Sequence, residues 1–306
     1  MTAKERFEDY WSWGGHPVVK NRFLLSSVYP MVTLITSYVL FVKVVGPYIM
    51  RNRKPVQMRP LIVVYNFSLV IFYVWYLLRG ALFIPQMGIS LFCGSLLRYD
   101  KDIVEVVFFH AYILYVARFV ELLDTVFLVL TKKFNMVTSL HVFHHAIVPV
   151  FGWFGFRSET SAYLSLFIGV NSFVHVIMYS YYAIAALGPK YQKYIWWKKY
   201  LTSLQILQFF VMTIYMNFMY IFGCVESISI FIFSNFLSIL FFFLFINYYR
   251  GTYNKADKKE DSGNNEPKKT NGVLNENGIH RGSITHRGSI SGSLPAAYKN
   301  AVKKKE

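Results

Sequence analysis

Leu140-His141-Val142-Phe143-His144-His145 sets three imidazoles in the first turns of an otherwise apolar segment. On a helix, positions i, i+3 and i+4 share one face, so His141, His144 and His145 project within about 100° of one another. Four further polar stripes on neighbouring apolar segments reach a similar depth. They lie at 118–125, 171–179 and 202–208, and on the border Trp196-Trp197-Lys198-Lys199. Whether these five stretches share one pocket decides the reading of the whole chain.

Composition says what surrounds them. Of 306 residues, 55% are hydrophobic and 19% aromatic, and mean hydropathy is +0.35. One soluble core could not bury so much apolar surface, whereas a bilayer can solvate it. Seven apolar runs are long enough to span a core about 30 Å thick, which takes about 20 residues. They are 28–49, 61–79, 104–130, 140–156, 161–186, 200–222 and 227–249, the fourth being the shortest. Strand-like alternation is absent, and only helices or closed barrels satisfy their backbone in lipid. The sequence therefore predicts an all-α membrane protein with seven transmembrane helices. Residues 1–20 contain no apolar stretch of the kind a cleaved signal needs, so the first helix is expected to direct insertion. The expected division is an N-terminal segment 1–27, a transmembrane domain 28–249 and a polar tail 250–306.

The net charge of +16 is read as orientation and as attraction to anionic headgroups, not as nucleic-acid binding. Arg51, Arg53, Lys54 and Arg59 follow the first run, Lys132 and Lys133 the third, and Lys190, Lys193, Lys198 and Lys199 the fifth. The opposite loops hold only Arg98, Lys101 and Arg157. Positive loops stay cytosolic, so the N-terminus is expected in the lumen and the tail in the cytosol.

That tail is too poor in apolar residues to fold alone. It repeats His280-Arg-Gly-Ser-Ile at His286, which reads either as basophilic phosphorylation sites at Ser283 and Ser289 or as low-complexity drift. It ends Lys303-Lys304-Lys305-Glu306, matching a dilysine retrieval signal for the endoplasmic reticulum. Only Cys93 and Cys224 occur, both expected on the lumenal side, where an oxidising environment permits a disulfide between them. Asn66-Phe-Ser fits a glycosylation acceptor but lies inside the second run, where no glycan can attach.

Depth places the polar groups. At about 1.5 Å per residue from the cytosolic boundary, His144 lies ~7–8 Å deep, Asp124 ~9 Å, Gln205 and Gln208 ~8–12 Å, and His175 and Asn171 ~16–22 Å. They can form one layer with His175 and Asn171 as its floor. Arg118 and Glu121 are i, i+3 and can neutralise each other. Asp124 has no such partner in its own helix, and a histidine of the fourth run is the expected one.

Three histidines at this spacing invite a metal. A membrane di-iron site needs more ligands than the four histidines left at this depth, since His16, His110, His280 and His286 lie elsewhere, so no metal is expected. Nucleophilic chemistry fits better. A neutral imidazole held by a carboxylate can attack a thioester and form a reactive acyl-imidazole. A second histidine can move a proton or hold developing charge, as can Asn171 and Gln208. Lys132, Lys133, Lys198 and Lys199 at the mouth, beside Trp196 and Trp197, suit a phosphorylated, adenine-bearing carrier.

Four motifs carry a resemblance, in order, over about residues 20–250. They are Phe119-Val-Glu-Leu-Leu-Asp-Thr125 with Lys132-Lys133, the His-x-x-His-His box, Asn171-Ser-Phe-Val-His-Val-Ile-Met-Tyr-Ser-Tyr-Tyr182, and Leu201-Thr-Ser-Leu-Gln-Ile-Leu-Gln-Phe209. Together they resemble the very-long-chain fatty acid elongases, 3-oxoacyl-CoA synthases of the endoplasmic reticulum. The resemblance implies seven helices, six of them surrounding a closed acyl tunnel, and condensation of malonyl-CoA with an acyl-CoA. His144 matches the histidine that carries the acyl group, and His175 the second catalytic histidine. His141, His145 and Asp124 resemble the orienting shell, with Asn171, Tyr179, Gln205 and Gln208 as substrate-binding candidates. CoA thioesters are substrates and no cofactor is implied. The expected partners are the bilayer and the reductases and dehydratase of the elongation cycle, and a homo-oligomer is compatible with it. Chain length is expected to depend on what blocks the lumenal end, around 215–226. Two other readings stay open: a metal-dependent hydroxylase or desaturase, which predicts bound iron, and a seven-helix receptor or transporter, which leaves the histidines unexplained.

Overall fold

The computed structural model describes residues 21–89, 93–94, 99–158, 163–225 and 227–254. Among them the chain is all helix, without a strand. The helices are α1 Val28–Met50, α2 Arg59–Gln86, α3 Lys101–Val120, α4 Leu123–Leu130, α5 Ser139–Ser158, α6 Tyr163–Ala186, α7 Lys198–Ile221 and α8 Ile228–Tyr249. A π-helical turn, Phe41–Val45, lies inside α1, and a second, Arg250–Asn254, continues α8 past the expected start of the tail. Residues 1–20 and 255–306, with the repeat and the terminal lysines, lie outside the described residues.

Among the described residues five helices are long and apolar enough to cross a membrane: Val28–Met50, Arg59–Gln86, Leu164–Ala186, Lys198–Ile221 and Ile228–Tyr253. That is the pattern of a multi-pass membrane protein. The third and fourth runs differ from the other five. The run expected as one helix over 104–130 folds as α3 and α4, broken at Glu121 and Leu122, where the Asp124 N–H turns back to the Glu121 carbonyl at 3.1 Å. Such tightened turns are tolerated at membrane depth only where protein buries them. Glu121 and Leu122 are both buried. The break brings Arg118, Glu121 and Thr125 all inward. α5 carries the three imidazoles and Arg157 in place of an unbroken apolar surface.

Helix ends follow local rules. Pro60 begins α2, where its missing N–H costs nothing. Gly223, at φ +69°, ends α7. Its N–H reaches the Tyr220 carbonyl, and the Cys224 N–H reaches back to Met219 at 2.9 Å. This double return needs a left-handed residue, which glycine supplies without steric cost. It delivers Cys224 to a disulfide with Cys93, tying the α2–α3 connection to the end of α7.

Close packing runs α2–α6–α7–α8–α5–α3, with α1 outside against α4 and α5. Between α3–α4 and α2, large side chains bridge instead: Tyr65 meets Phe127, and Trp75 and Phe83 meet His110. The basic loops gather at one end of the bundle. The Val56 N–H donates to the Leu130 carbonyl, Lys132 Nζ reaches the Arg51 carbonyl at 3.4 Å, and Arg59 lies against Gly188. A cavity of about 320 Å³ opens among them, lined by Gln57, Arg59, Lys133 and Gln192.

Candidate active site

The polar residues of α3–α6 form two linked groups. The first is built on the α3–α4 break. Arg118 NH1 donates to both Glu121 oxygens at 3.1 Å and lies 3.1 Å from both ring nitrogens of His175, while NH2 donates to Asn171 Oδ1 at 2.5 Å. Glu121 Oε1 is 3.3 Å from His175 Nδ1 and also accepts from the Tyr73 hydroxyl. Glu121 is 2% exposed. A charge so buried persists only when paired and hydrogen-bonded, and here three donors surround it. A carboxylate accepts and does not donate, so it fixes the His175 proton on Nδ1 and leaves Nε2 with the lone pair. The Tyr73 ring packs against that imidazole at 5.1 Å.

The second group hangs on Thr125. Its hydroxyl lies 2.8 Å from the Tyr38 hydroxyl and 2.9 Å from His141 Nε2, so α1, α4 and α5 meet at one oxygen. The His141 ring packs on His145 at 4.4 Å with the planes tilted by 52°, and His145 meets His144 edge-on at 5.6 Å. His145 is buried. His144 is half-buried against Phe241 at 5.0 Å, within electrostatic reach of His175, Arg118 and Glu121. Among the described residues no hydrogen bond holds it. His144 and His145 are thus close enough to His175 for their charges to interact.

Several expectations change. Asp124 does not hold a histidine. It accepts from the Tyr179 hydroxyl at 2.8 Å, and Thr125 beside it takes the imidazole. One residue along a helix is a turn of about 100°, enough to exchange those partners. Gln205 donates to the Met178 sulfur at 3.8 Å and to no histidine among the described residues, while Gln208 is buried on the same helix. Lys133 lines the cavity at the basic end, but Lys132 closes a loop instead. Lys198 and Lys199 begin α7, Lys199 over the Tyr249 ring at 5.9 Å. Arg118 and Glu121 are more than a self-neutralising pair, because they clamp His175. The signal was present in two charges inside an apolar run. Tyr73 gave no signal, being one of 23 tyrosines.

Helices fit for a bilayer, with a buried histidine clamped between a carboxylate and a guanidinium, define a polytopic membrane protein with a buried polar site. Residues 23–261 match the family described as ELO, GNS1/SUR4. The chain is 36% identical to very long chain fatty acid elongase 7 of Drosophila melanogaster over 247 residues, covering 80% of this chain and 74% of the relative. It is equally similar to elongase 7 of Rattus norvegicus over 256 residues (83% and 91%) and to elongase 4 of Mus musculus over 273 residues (89% and 85%). The chain belongs to this family of fatty acid elongases.

Proposed function

We propose that the protein is a 3-oxoacyl-CoA synthase that condenses malonyl-CoA with a long-chain acyl-CoA, using His144 as the nucleophile. The observation that carries this is the unequal treatment of two histidines in one layer. His175 is clamped by Glu121 and Arg118, whereas His144 has no hydrogen-bond partner among the described residues. A nucleophile needs a free lone pair, and an oxyanion or proton partner needs a fixed position.

The His144 nitrogen attacks the thioester carbonyl, the C–S bond breaks, and CoA leaves as a thiolate that takes up a proton. Malonyl-CoA then loses CO₂, and its C2 carbanion attacks the acyl carbon. The C–N bond breaks, restoring the imidazole and giving a 3-oxoacyl-CoA two carbons longer. Asn171, its Oδ1 held by Arg118, has its amide N–H groups left to meet the negative charge that develops on the thioester oxygen, and the Nε2 lone pair of His175 can take up a proton. Decarboxylation supplies the carbanion, so the reaction needs neither metal nor cofactor. A metal-dependent hydroxylase fits these residues poorly, because Arg118 puts a cation 3.1 Å from His175, where a metal would be repelled.

On this reading 28–249 forms seven transmembrane helices, six around a closed acyl tunnel. The basic loops face the cytosol and meet the CoA phosphates through Arg59 and Lys133. The N-terminus is lumenal, the tail cytosolic, and the membrane that of the endoplasmic reticulum, where the cycle's reductases and dehydratase take the product. The test is purified protein supplied with acyl-CoA and labelled malonyl-CoA. A labelled 3-oxoacyl-CoA with one CO₂ released per turnover is expected; no product from any chain length would refute the reading.

A further inference from the structure

A second cavity, about 420 Å³, lies between α2, α3 and α6 toward the Gln86 end of the bundle. Three helices place it alike. Arg79 is six residues past Tyr73, His110 eight before Arg118, and Ile168 seven before His175, so the cavity lies ~9–12 Å beyond the polar layer. Tyr76 and Ile168, on its wall, pack in the same cluster as Tyr73 and Tyr179. Chain-length control was expected around 215–226, yet this space is bounded by other helices.

Its walls are mostly apolar; besides the hydroxyls of Tyr76 and Ser165, Arg79 and His110 break the pattern. Arg79 lies over the Phe83 ring at 4.0 Å, its Nε buried and without a hydrogen-bond partner. No carboxylate pairs with it among the described residues. A buried guanidinium nitrogen with no acceptor is costly, and such an unsatisfied donor calls for a partner. His110 lies 5.6 Å from the same Phe83 ring. Its Nδ1 is 2.8 Å from the Val106 carbonyl, which can only accept, so the proton is on Nδ1 and Nε2 presents a lone pair. Arg79 and His110 thus offer a donor and an acceptor beside a shared aromatic face. A carboxylate could use only the donor. A hydroxyl uses both.

We infer that this cavity receives the distal part of the acyl chain and that Arg79 and His110 make it select chains bearing a hydroxyl far from the thioester. The inference rests on the elongase reading and adds a substrate class to it. The protein would extend hydroxylated acyl chains in preference to plain chains of the same length.

The test is a ladder of ω-hydroxyacyl-CoAs and matching plain acyl-CoAs, assayed in competition with the wild type, R79L, R79Q and H110F. The readout is the ratio of kcat/KM values within each protein, which does not depend on how much of a variant folds. At the chain length that places the hydroxyl between the two side chains, the ratio should fall about tenfold or more in R79L and less in H110F. Equal ratios in the wild type and all variants at every length overturn the inference. So does an R79L protein that loses bound anionic lipid while its ratio stands, because Arg79 then serves a headgroup. Failure of the wild type to extend any chain would instead refute the elongase reading.

Discussion

His175 on α6 and His144 on α5 border the same interior, yet their surroundings use them differently. Around His175 the carboxylate, the guanidinium and the Tyr73 ring fix both tautomer and tilt. Around His144 there are an aromatic edge and another imidazole, with no hydrogen bond among the described residues. A buried polar network that is fully satisfied is rigid. A side chain left out of it keeps its lone pair for chemistry. The comparison teaches that membrane burial does not make the histidines equivalent. The α3–α4 break, which supplies Arg118 and Glu121, decides which one is held.

The comparison is broken most forcefully at His144. His144→Ala should reduce malonyl-dependent extension at least a thousandfold, about 4 kcal/mol in barrier, while the size-exclusion profile and Tm stay close to wild type. Near-normal extension in that variant would move the nucleophile elsewhere. Next comes the clamp. Glu121→Leu leaves Arg118 buried and unpaired, so stability should drop by about 3–5 kcal/mol, read as a lower Tm. The double variant Glu121→Leu with Arg118→Met should recover part of that loss but not the activity, since His175 then lacks both restraints. A single variant as stable as wild type would show that the pair is not as desolvated as its 2% exposed carboxylate implies.

Smaller effects sharpen the picture. Replacing Arg59 and Lys133 by Ala should raise KM for malonyl-CoA about three- to tenfold, the difference shrinking in high salt because the charges are near solvent. A salt-independent KM would exclude those side chains from phosphate binding. Thr125→Val removes the oxygen joining Tyr38 to His141, at a cost of about 1 kcal/mol in stability. If its effect on turnover equals that of His144→Ala, the two polar groups act as one, and the division drawn between them is wrong.

Much of this was legible in the residues. Apolar runs and basic loops announced the helices and the clustering of positive charge at one end, because hydrophobic length and loop charge are local properties. The histidine face was equally plain from i, i+3, i+4 spacing. What escaped depended on rotation. Asp124 and Thr125 are adjacent, and only the break at Glu121 determines which meets a histidine. That break arises from burying a charge network contributed by three helices, which no window of one helix contains. Tyr73 and Tyr38 escaped for a related reason. In a chain with 23 tyrosines, nothing local separates a hydroxyl that bonds Glu121 or Thr125 from one that lies against lipid.

The most direct measurement is mass spectrometry of the protein incubated with acyl-CoA alone, together with titration of released thiol. The account predicts free CoA approaching one equivalent and an acyl mass on the peptide bearing His144, discharged when malonyl-CoA is added. Intact acyl-CoA and unmodified protein, in a preparation that still extends chains once malonyl-CoA is supplied, would contradict the covalent stage.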